Sequence, residues 1–195
     1  SLNLRTQMLR DTERELYWSL AFGTSDSKNK IKKITDKLGA MNDENNKNET
    51  KKPVPLYEEG ESLDALKAVP SLGIDPETGK EVFVKKDGSL TTIWDYNDKV
   101  VCGTTDPKFR GTLNSFLTFK GISLNMSFNF QWGGQTYNQT LASRVEGVNP
   151  NSNCDRRVLY DRWKKPGDRT FFKNIALEEN VSNLTTRFVQ DYNYF

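Results

Sequence analysis

From Ile122 to Trp132 the chain alternates without a break. Ile122, Leu124, Met126, Phe128, Phe130 and Trp132 are apolar, and Ser123, Asn125, Ser127, Asn129 and Gln131 between them are polar. A period of two predicts a β-strand with one apolar and one polar face. At about 3.3 Å per residue it reaches roughly 36 Å, and a tilt near 45° reduces that to about 25 Å, the height of the apolar band of an outer-membrane barrel. The polar face carries small amides and hydroxyls and no Lys, Glu or Arg, which suits a wet lumen, and the aromatic end, Phe128 to Trp132, suits an interfacial girdle. An amphipathic strand over a soluble core would show the same alternation, so the neighbouring segments have to decide.

They repeat the pattern. Leu2, Leu4, Thr6 and Met8 alternate with Asn3, Arg5, Gln7 and Leu9, a polar turn follows at Arg10 to Glu13, and Leu16, Trp18, Leu20 and Phe22 alternate with Tyr17, Ser19 and Ala21. These two strands predict a hairpin over 1–23. A further strand is expected over Phe109 to Phe119, joined to Ile122 by Lys120-Gly121 alone, a connection that forces an antiparallel hairpin over 108–133. Arg187 to Phe195 reads as the start of another strand over 187–195.

Between the hairpins lies a long excursion, 24–107. Ile31, Ile34, Leu38 and Met41 predict a short amphipathic helix, Asn42 to Pro55 reads as a polar linker, and Ser62 is placed to cap a helix running to Val69. Val69–Ile74 and Glu81–Val84 flank the turn Asp75-Pro76-Glu77-Thr78-Gly79, and Lys86-Asp87-Gly88 reverses the chain before Leu90 to Trp94, so a small β-meander is expected. A second excursion, 134–186, carries a predicted short helix near Asp155 to Trp163 that ends at Lys165-Pro166-Gly167.

Short and long connections therefore alternate strictly. Outer-membrane barrels have short periplasmic turns and long outward loops because neighbouring strands run in opposite directions. The fold class expected is all-β: antiparallel strands forming part of a large transmembrane outer-membrane β-barrel, with long outward loops. Five long strands are too few to close a barrel, so the sequence reads as a fragment of one.

Composition narrows the chemistry. Hydrophobic residues make up 35% of the 195, and Lys plus Arg is 28 against 26 for Asp plus Glu. A net charge of +2 indicates no nucleic acid partner. No apolar run is long enough for a membrane-spanning helix, and Ser1 to Arg10 lacks the regions of a signal peptide. With no His and only Cys102 and Cys154, a His- or Cys-based metal site or catalytic triad is not available. No metal, cofactor or catalytic residue is expected.

Thr105-Asp106-Pro107-Lys108-Phe109-Arg110-Gly111, Phe119-Lys120-Gly121-Ile122-Ser123-Leu124 and Phe130-Gln131-Trp132-Gly133-Gly134-Gln135-Thr136-Tyr137-Asn138 together resemble the late barrel of SusC/RagA-type TonB-linked outer-membrane proteins. Gly73 to Glu81, Tyr160 to Asp168 and Thr186 to Asp191 support the resemblance. It implies a 22-stranded barrel with an N-terminal plug, energised through TonB, that imports oligosaccharides or peptides captured with a SusD-like lipoprotein lid. The chain has no segment matching the plug or the TonB box. The location implied is the outer membrane, in contact with its lipid, and the function is transport without bond-making chemistry.

In that setting Ser123, Asn125, Ser127, Asn129 and Gln131 face the lumen. The loop aromatics Trp94, Tyr96, Tyr137, Tyr160 and Trp163 are the candidates for ligand contact, because a flat ring stacks on a sugar or an apolar side chain while nearby amides hydrogen-bond. Two other readings use the same residues. A secreted β-sandwich carbohydrate-binding module would be similarly aromatic and neutral, but nothing in it demands the loop alternation. A glycoside hydrolase would need two carboxylates, such as Glu58 and Asp75, held about 5 to 9.5 Å apart on a rigid scaffold, whereas these acids lie in turns and linkers.

Overall fold

The structure is a computed structural model, and it describes residues 1–47, 53–149, 151, 153–176 and 183–195. In chain order the elements are β1 (Leu2–Asp11), β2 (Leu16–Ser25), α1 (Asp36–Lys47), β3 (Ala65–Ala68), β4 (Ser71–Ile74), β5 (Glu81–Val84), β6 (Leu90–Thr91), β7 (Val100–Thr104), β8 (Phe109–Phe119), β9 (Ile122–Tyr137) and β10 (Val189–Tyr194). Short 3-10 turns occupy Tyr96–Asp98, Arg156–Leu159 and Thr186–Phe188, and a π-helical turn occupies Leu141–Glu146. Two units contain them, one of residues 1–29, 105–135 and 191–195, the other of residues 30–104 and 136–190.

The first unit is built on a five-stranded sheet in the order β1-β2-β8-β9-β10, so every strand lies beside its predecessor among these five. β1–β2, β2–β8 and β8–β9 are antiparallel. Directly opposed residues project to the same side, and the register therefore sorts the side chains into two faces. Leu4, Phe22, Leu113 and Phe128 form one apolar row, and Leu9, Trp18, Leu117 and Leu124 another. The opposite face carries the rows Arg5, Ala21, Asn114, Ser127 and Gln7, Ser19, Phe116, Asn125. The apolar face is open to its surroundings, with Ile122 74% and Trp132 58% exposed. A soluble sandwich would need a second sheet across it, and among the described residues of this unit there is one sheet.

Both short turns have local causes. At Lys120-Gly121 the φ angles are 46° and 81°, the left-handed pair of a type I′ turn, which matches the twist of the flanking strands. The β1–β2 turn sits later than expected, because β1 runs through Asp11 and the carboxylate accepts from the Glu13 and Arg14 amides at 3.1 and 3.0 Å. On the apolar face the Trp18 indole N–H donates to Ser115 Oγ at 3.0 Å, and Ser115 is buried. Trp18→Phe is expected to cost about 1 to 3 kcal/mol by stranding that hydroxyl. Adding Ser115→Ala should recover most of the loss, as a denaturant-melt double-mutant cycle would register.

The second unit departs from the sequence expectations in several places. The helix expected from Ile31 starts only at Asp36, because Ile31 is used in an extended segment, its N–H donating to Glu61 O and its carbonyl accepting from Gly60 N–H. The helix expected from Ser62 to Val69 is instead β3, since Ala65–Ala68 pairs antiparallel with β7. The helix expected near Asp155 to Trp163 is a four-residue 3-10 turn, Arg156–Leu159, with Asp155 as its N-cap. Residues 48–52 of the expected linker lie outside the described residues. The meander is present as β4-β5-β6, although its last strand stops at Thr91 rather than Trp94. β9 also runs on to Tyr137, so the second excursion begins after that residue.

The excursions between β2 and β8 and between β9 and β10 share one core. Ala68 belongs to the first; Tyr137, Ala142, Val145, Phe172, Leu184 and Phe188 come from β9 and the second. A parallel bridge joins Val69 to Thr185, with Val69 N–H donating to Leu184 O at 3.2 Å and Thr186 N–H to Val69 O at 3.0 Å.

Candidate functional site

The polar face of the first unit is one candidate surface. Alternation along β9 puts Ser123, Asn125, Ser127, Asn129 and Gln131 on the side opposite Ile122, Leu124 and Met126, and the first four are exposed. Two of them bond across the ladder to their register partners. Ser127 Oγ donates to Asn114 Oδ1 at 2.6 Å, and Ser123 Oγ lies 3.2 Å from Thr118 Oγ1. Nearer the loop-bearing ends, the Gly133 amide donates to Asn193 Oδ1 at 2.8 Å and the Gln135 amide to Asp191 at 3.4 Å. The result is a row of neutral side chains along β9 tied to the neighbouring strands by hydrogen bonds.

The second unit is the other candidate, and the structure divides the five loop aromatics. Trp163 is 7% exposed, its indole N–H donates to Pro76 O at 2.8 Å, and its ring lies on Gly79. A Cβ at Gly79 would sit 2.5 Å from the ring, and φ there is +70°, so glycine is required twice over. Tyr137 is buried edge-on to Phe188, its hydroxyl donating to Asn183 O at 3.3 Å. Trp94 is half-buried against the same core and donates to Leu184 O. Tyr96 is half-buried in its 3-10 turn. Tyr160 is 55% exposed, with the Arg156 guanidinium 5.7 Å from its ring centroid. The five do not converge on a common cleft.

At the centre of this unit is a buried ionic cluster that the sequence reading did not single out. Arg187 spans two carboxylates: Nε and Nη2 donate to Glu81 at 2.7 and 2.9 Å, and Nη2 also meets both oxygens of Glu146 at 2.7 and 2.8 Å. Its third arm reaches the Phe171 carbonyl, and the rings of Phe171 and Phe188 lie 5.3 and 4.8 Å from the guanidinium. Arg162, also buried, donates to the carbonyls of Val158 and Lys173 at 3.0 Å and to that of Val145. Burial raises the Glu146 pKa and Arg187 opposes the rise; burial works against the Arg187 charge, but the two carboxylates outweigh it and hold its pKa above the ordinary value. A cluster so enclosed has no room for substrate, and its work is to hold three separate segments together. The signal in the sequence was a charge set inside an apolar stretch each time, Val145-Glu146, Glu81-Val82-Phe83 and Arg187-Phe188-Val189.

The acids considered for hydrolysis are also engaged. Glu58 binds the buried Lys67 ammonium at 2.5 Å beside Glu61 at 2.8 Å. Asp75 accepts from Thr78 Oγ1 and the Glu77 amide, which lowers its pKa. Among the described residues no group of three or more Cys, Asp or Glu is arranged to hold a metal. Cys154 is exposed and Cys102 is half-buried with its thiol against Leu66 O; both are thiols.

No family model matches the chain. In sequence it is similar to TonB-dependent receptor P3 of Formosa agariphila, with 25% identity over 200 residues that take in 94% of this chain and 19% of that one. In structure it is similar to the RagAB peptide importer. Against the 'open-open' state the TM-score is 0.70 with 16% identity, covering 98% of this chain and 20% of the other. Against the 'closed-closed' state it is 0.68 with 15% identity, covering 98% and 21%. The chain spans about a fifth of the length of these relatives. Sequence and fold thus agree with the resemblance to a SusC/RagA-type TonB-dependent receptor, and the fold is that of part of such a barrel. The names of these relatives are those of receptors and importers, not of enzymes.

Proposed function

We propose that this chain forms part of the wall and the outward loops of a TonB-dependent outer-membrane importer. The cargo is a nutrient such as an oligosaccharide or a peptide, taken up together with a SusD-like surface lipoprotein. The observation that carries the reading is the asymmetry of the first unit's sheet. Its apolar face is bare, its polar face carries hydrogen-bonded amides and hydroxyls, tight turns close one end, and both large connections leave from the other. Lipid covers such a face in a barrel, and water fills the opposite side. The bond-making alternatives lose their acids to Lys67 and to a turn.

In this reading Ser123, Asn125, Ser127, Asn129 and Gln131 face the lumen, and the loop body meets the cargo. Tyr160, with its exposed ring and the Arg156 cation beside it, is the favoured contact among the five aromatics, and Trp94 and Tyr96 are secondary to it. Trp163 and Tyr137 act through packing.

Topology gives the direct test. On intact cells expressing the receptor that carries this chain, a membrane-impermeant maleimide should label Cys154. A cysteine introduced as Lys120→Cys should react only after the outer membrane is opened. Labelling of both sites on intact cells would overturn the barrel reading. With the topology established, Tyr160→Ala should weaken cargo capture by about tenfold, the scale of an aromatic hot spot, as measured by uptake of labelled oligosaccharide or peptide. Unchanged uptake would remove Tyr160 from the contact set.

A further inference from the structure

Lys99 is placed as few lysines are. Its backbone N–H donates to the Tyr96 carbonyl and closes the 3-10 turn Tyr96–Asp98, and its extended backbone, φ −60° and ψ 134°, leads into β7. The residue is 7% exposed, and lysine is almost never so enclosed without a carboxylate partner. Among the described residues its ammonium has none.

The acids that could serve it are committed elsewhere. Alternation puts Lys99 on the same side as Val101, and Val101 is the register partner of Lys67. That side of the β3–β7 ladder therefore carries two enclosed lysines. Glu58 and Glu61 both go to Lys67, at 2.5 and 2.8 Å. Asp95 accepts from the amide and the side chain of Asn97, at 2.8 and 2.9 Å. Asp98 accepts from Lys86 N–H at 3.1 Å. An amine that loses its water and gains no counterion is driven toward its neutral form, and burial lowers the Lys99 pKa accordingly.

A desolvated lysine amine is a nucleophile for carbonyl carbon. We infer that Lys99 is a covalent site for aldehydes. The Nζ lone pair adds to the carbonyl carbon, the two amine protons leave with the carbonyl oxygen as water, and a C=N imine replaces the C=O bond. The imine is uncharged, so surroundings that disfavour an ammonium do not disfavour the adduct. The reducing end of an oligosaccharide and a small free aldehyde offer the same group. The site goes beyond the importer reading and does not depend on it.

The test uses the intact receptor that carries this chain, in outer-membrane vesicles. It is treated with glycolaldehyde or with maltotriose in cyanoborohydride, which reduces an imine to a stable secondary amine, and digested for peptide mass spectrometry. With glycolaldehyde at neutral pH, Lys99 should be modified at least about tenfold faster than the exposed Lys85 and Lys86, because the rate follows the neutral fraction of each amine. As pH is raised, Lys99 should level off while Lys85 and Lys86 are still gaining. A rate at Lys99 no greater than theirs would overturn the inference. So would a parallel rise with pH, because the amine would then be an ordinary one. Modification by maltotriose as well would assign the reducing end of a sugar as a source, and modification by glycolaldehyde alone would assign a small aldehyde; either supports the inference. Lys99→Arg should abolish the adduct at this position and leave Lys85 and Lys86 unchanged, with heat-modifiable gel mobility checking that its barrel is folded.

Discussion

Replacing Arg187 with methionine is expected to cost the second unit about 3 to 5 kcal/mol, the penalty for leaving buried charge without its partner. Arg187 and the carboxylates of Glu81 and Glu146 are each no more than 5% exposed, so water cannot replace the lost guanidinium. Removing it leaves two carboxylates that had shared one cation facing each other. The contacts at risk join β5, the π-helical turn and the 3-10 turn before β10. In the intact receptor the loss should appear as faster hydrogen exchange at the amides of Val69, Thr186 and Asn138, which donate to Leu184, Val69 and Phe188. Unchanged protection there would show that the apolar core holds these segments without the cluster.

Glu146→Gln makes the informative contrast. The amide oxygen still accepts from Arg187, and Glu81 still balances its charge, so stability at neutral pH should be equal or higher. The pH dependence follows from the direction of the shift. Glu146 has its pKa raised in the folded chain above the ordinary 4.5, so the folded state keeps the proton longer than the unfolded state. Its contribution is therefore fully present below the unfolded value and is lost as pH rises through the folded one. The glutamine variant should lack that decline when exchange protection is compared across the same range.

What could be read from the sequence and what could not divide along physical lines. The strands Phe109 to Phe119 and Ile122 onward were legible because each residue's side is fixed by its own parity, and Lys120-Gly121 leaves one way to turn. Local pattern and final structure agree there because nothing distant competes. In the loops distant partners win. Ile31 has helical spacing to Ile34 and Leu38, yet its backbone is bonded to Gly60 and Glu61, and Ala65–Ala68 is drawn into a ladder by Val100–Thr104. The partners of Arg187 lie 106 and 41 residues away, a separation no periodicity encodes. The aromatic candidates were visible as rings, but whether a ring packs or protrudes depends on those same distant contacts. Trp163 found Pro76 and Gly79; Tyr160, three residues earlier, found solvent and Arg156.

Gly111→Val is expected to have the largest effect on the wall, at about 3 kcal/mol or more, because the added atoms have no space to relax into. The position is not conformationally special, and the demand is steric. A Cβ on Gly111 would lie 2.2 Å from Gly23 O on the neighbouring strand and 2.5 Å from Phe130 Cζ. The first contact is with backbone, so β2 and β8 would have to part. The second is with a ring that lies across β8 at this point, stacks on Phe22 at 5.6 Å and meets Phe109 edge-on at 6.3 Å. Gly111 is thus the gap through which the aromatic end of the apolar face closes over three strands. Gly111→Ala should already impair assembly. Gly23→Ala should be far milder, because its Cβ would meet Asn3 Oδ1 at 2.8 Å, the end of a side chain that can swing away. The measurement is the amount of heat-modifiable receptor recovered in the outer membrane. Recovery of Gly111→Val at the level of the unaltered protein would mean that β2 and β8 are held apart more loosely than the stacked rings imply.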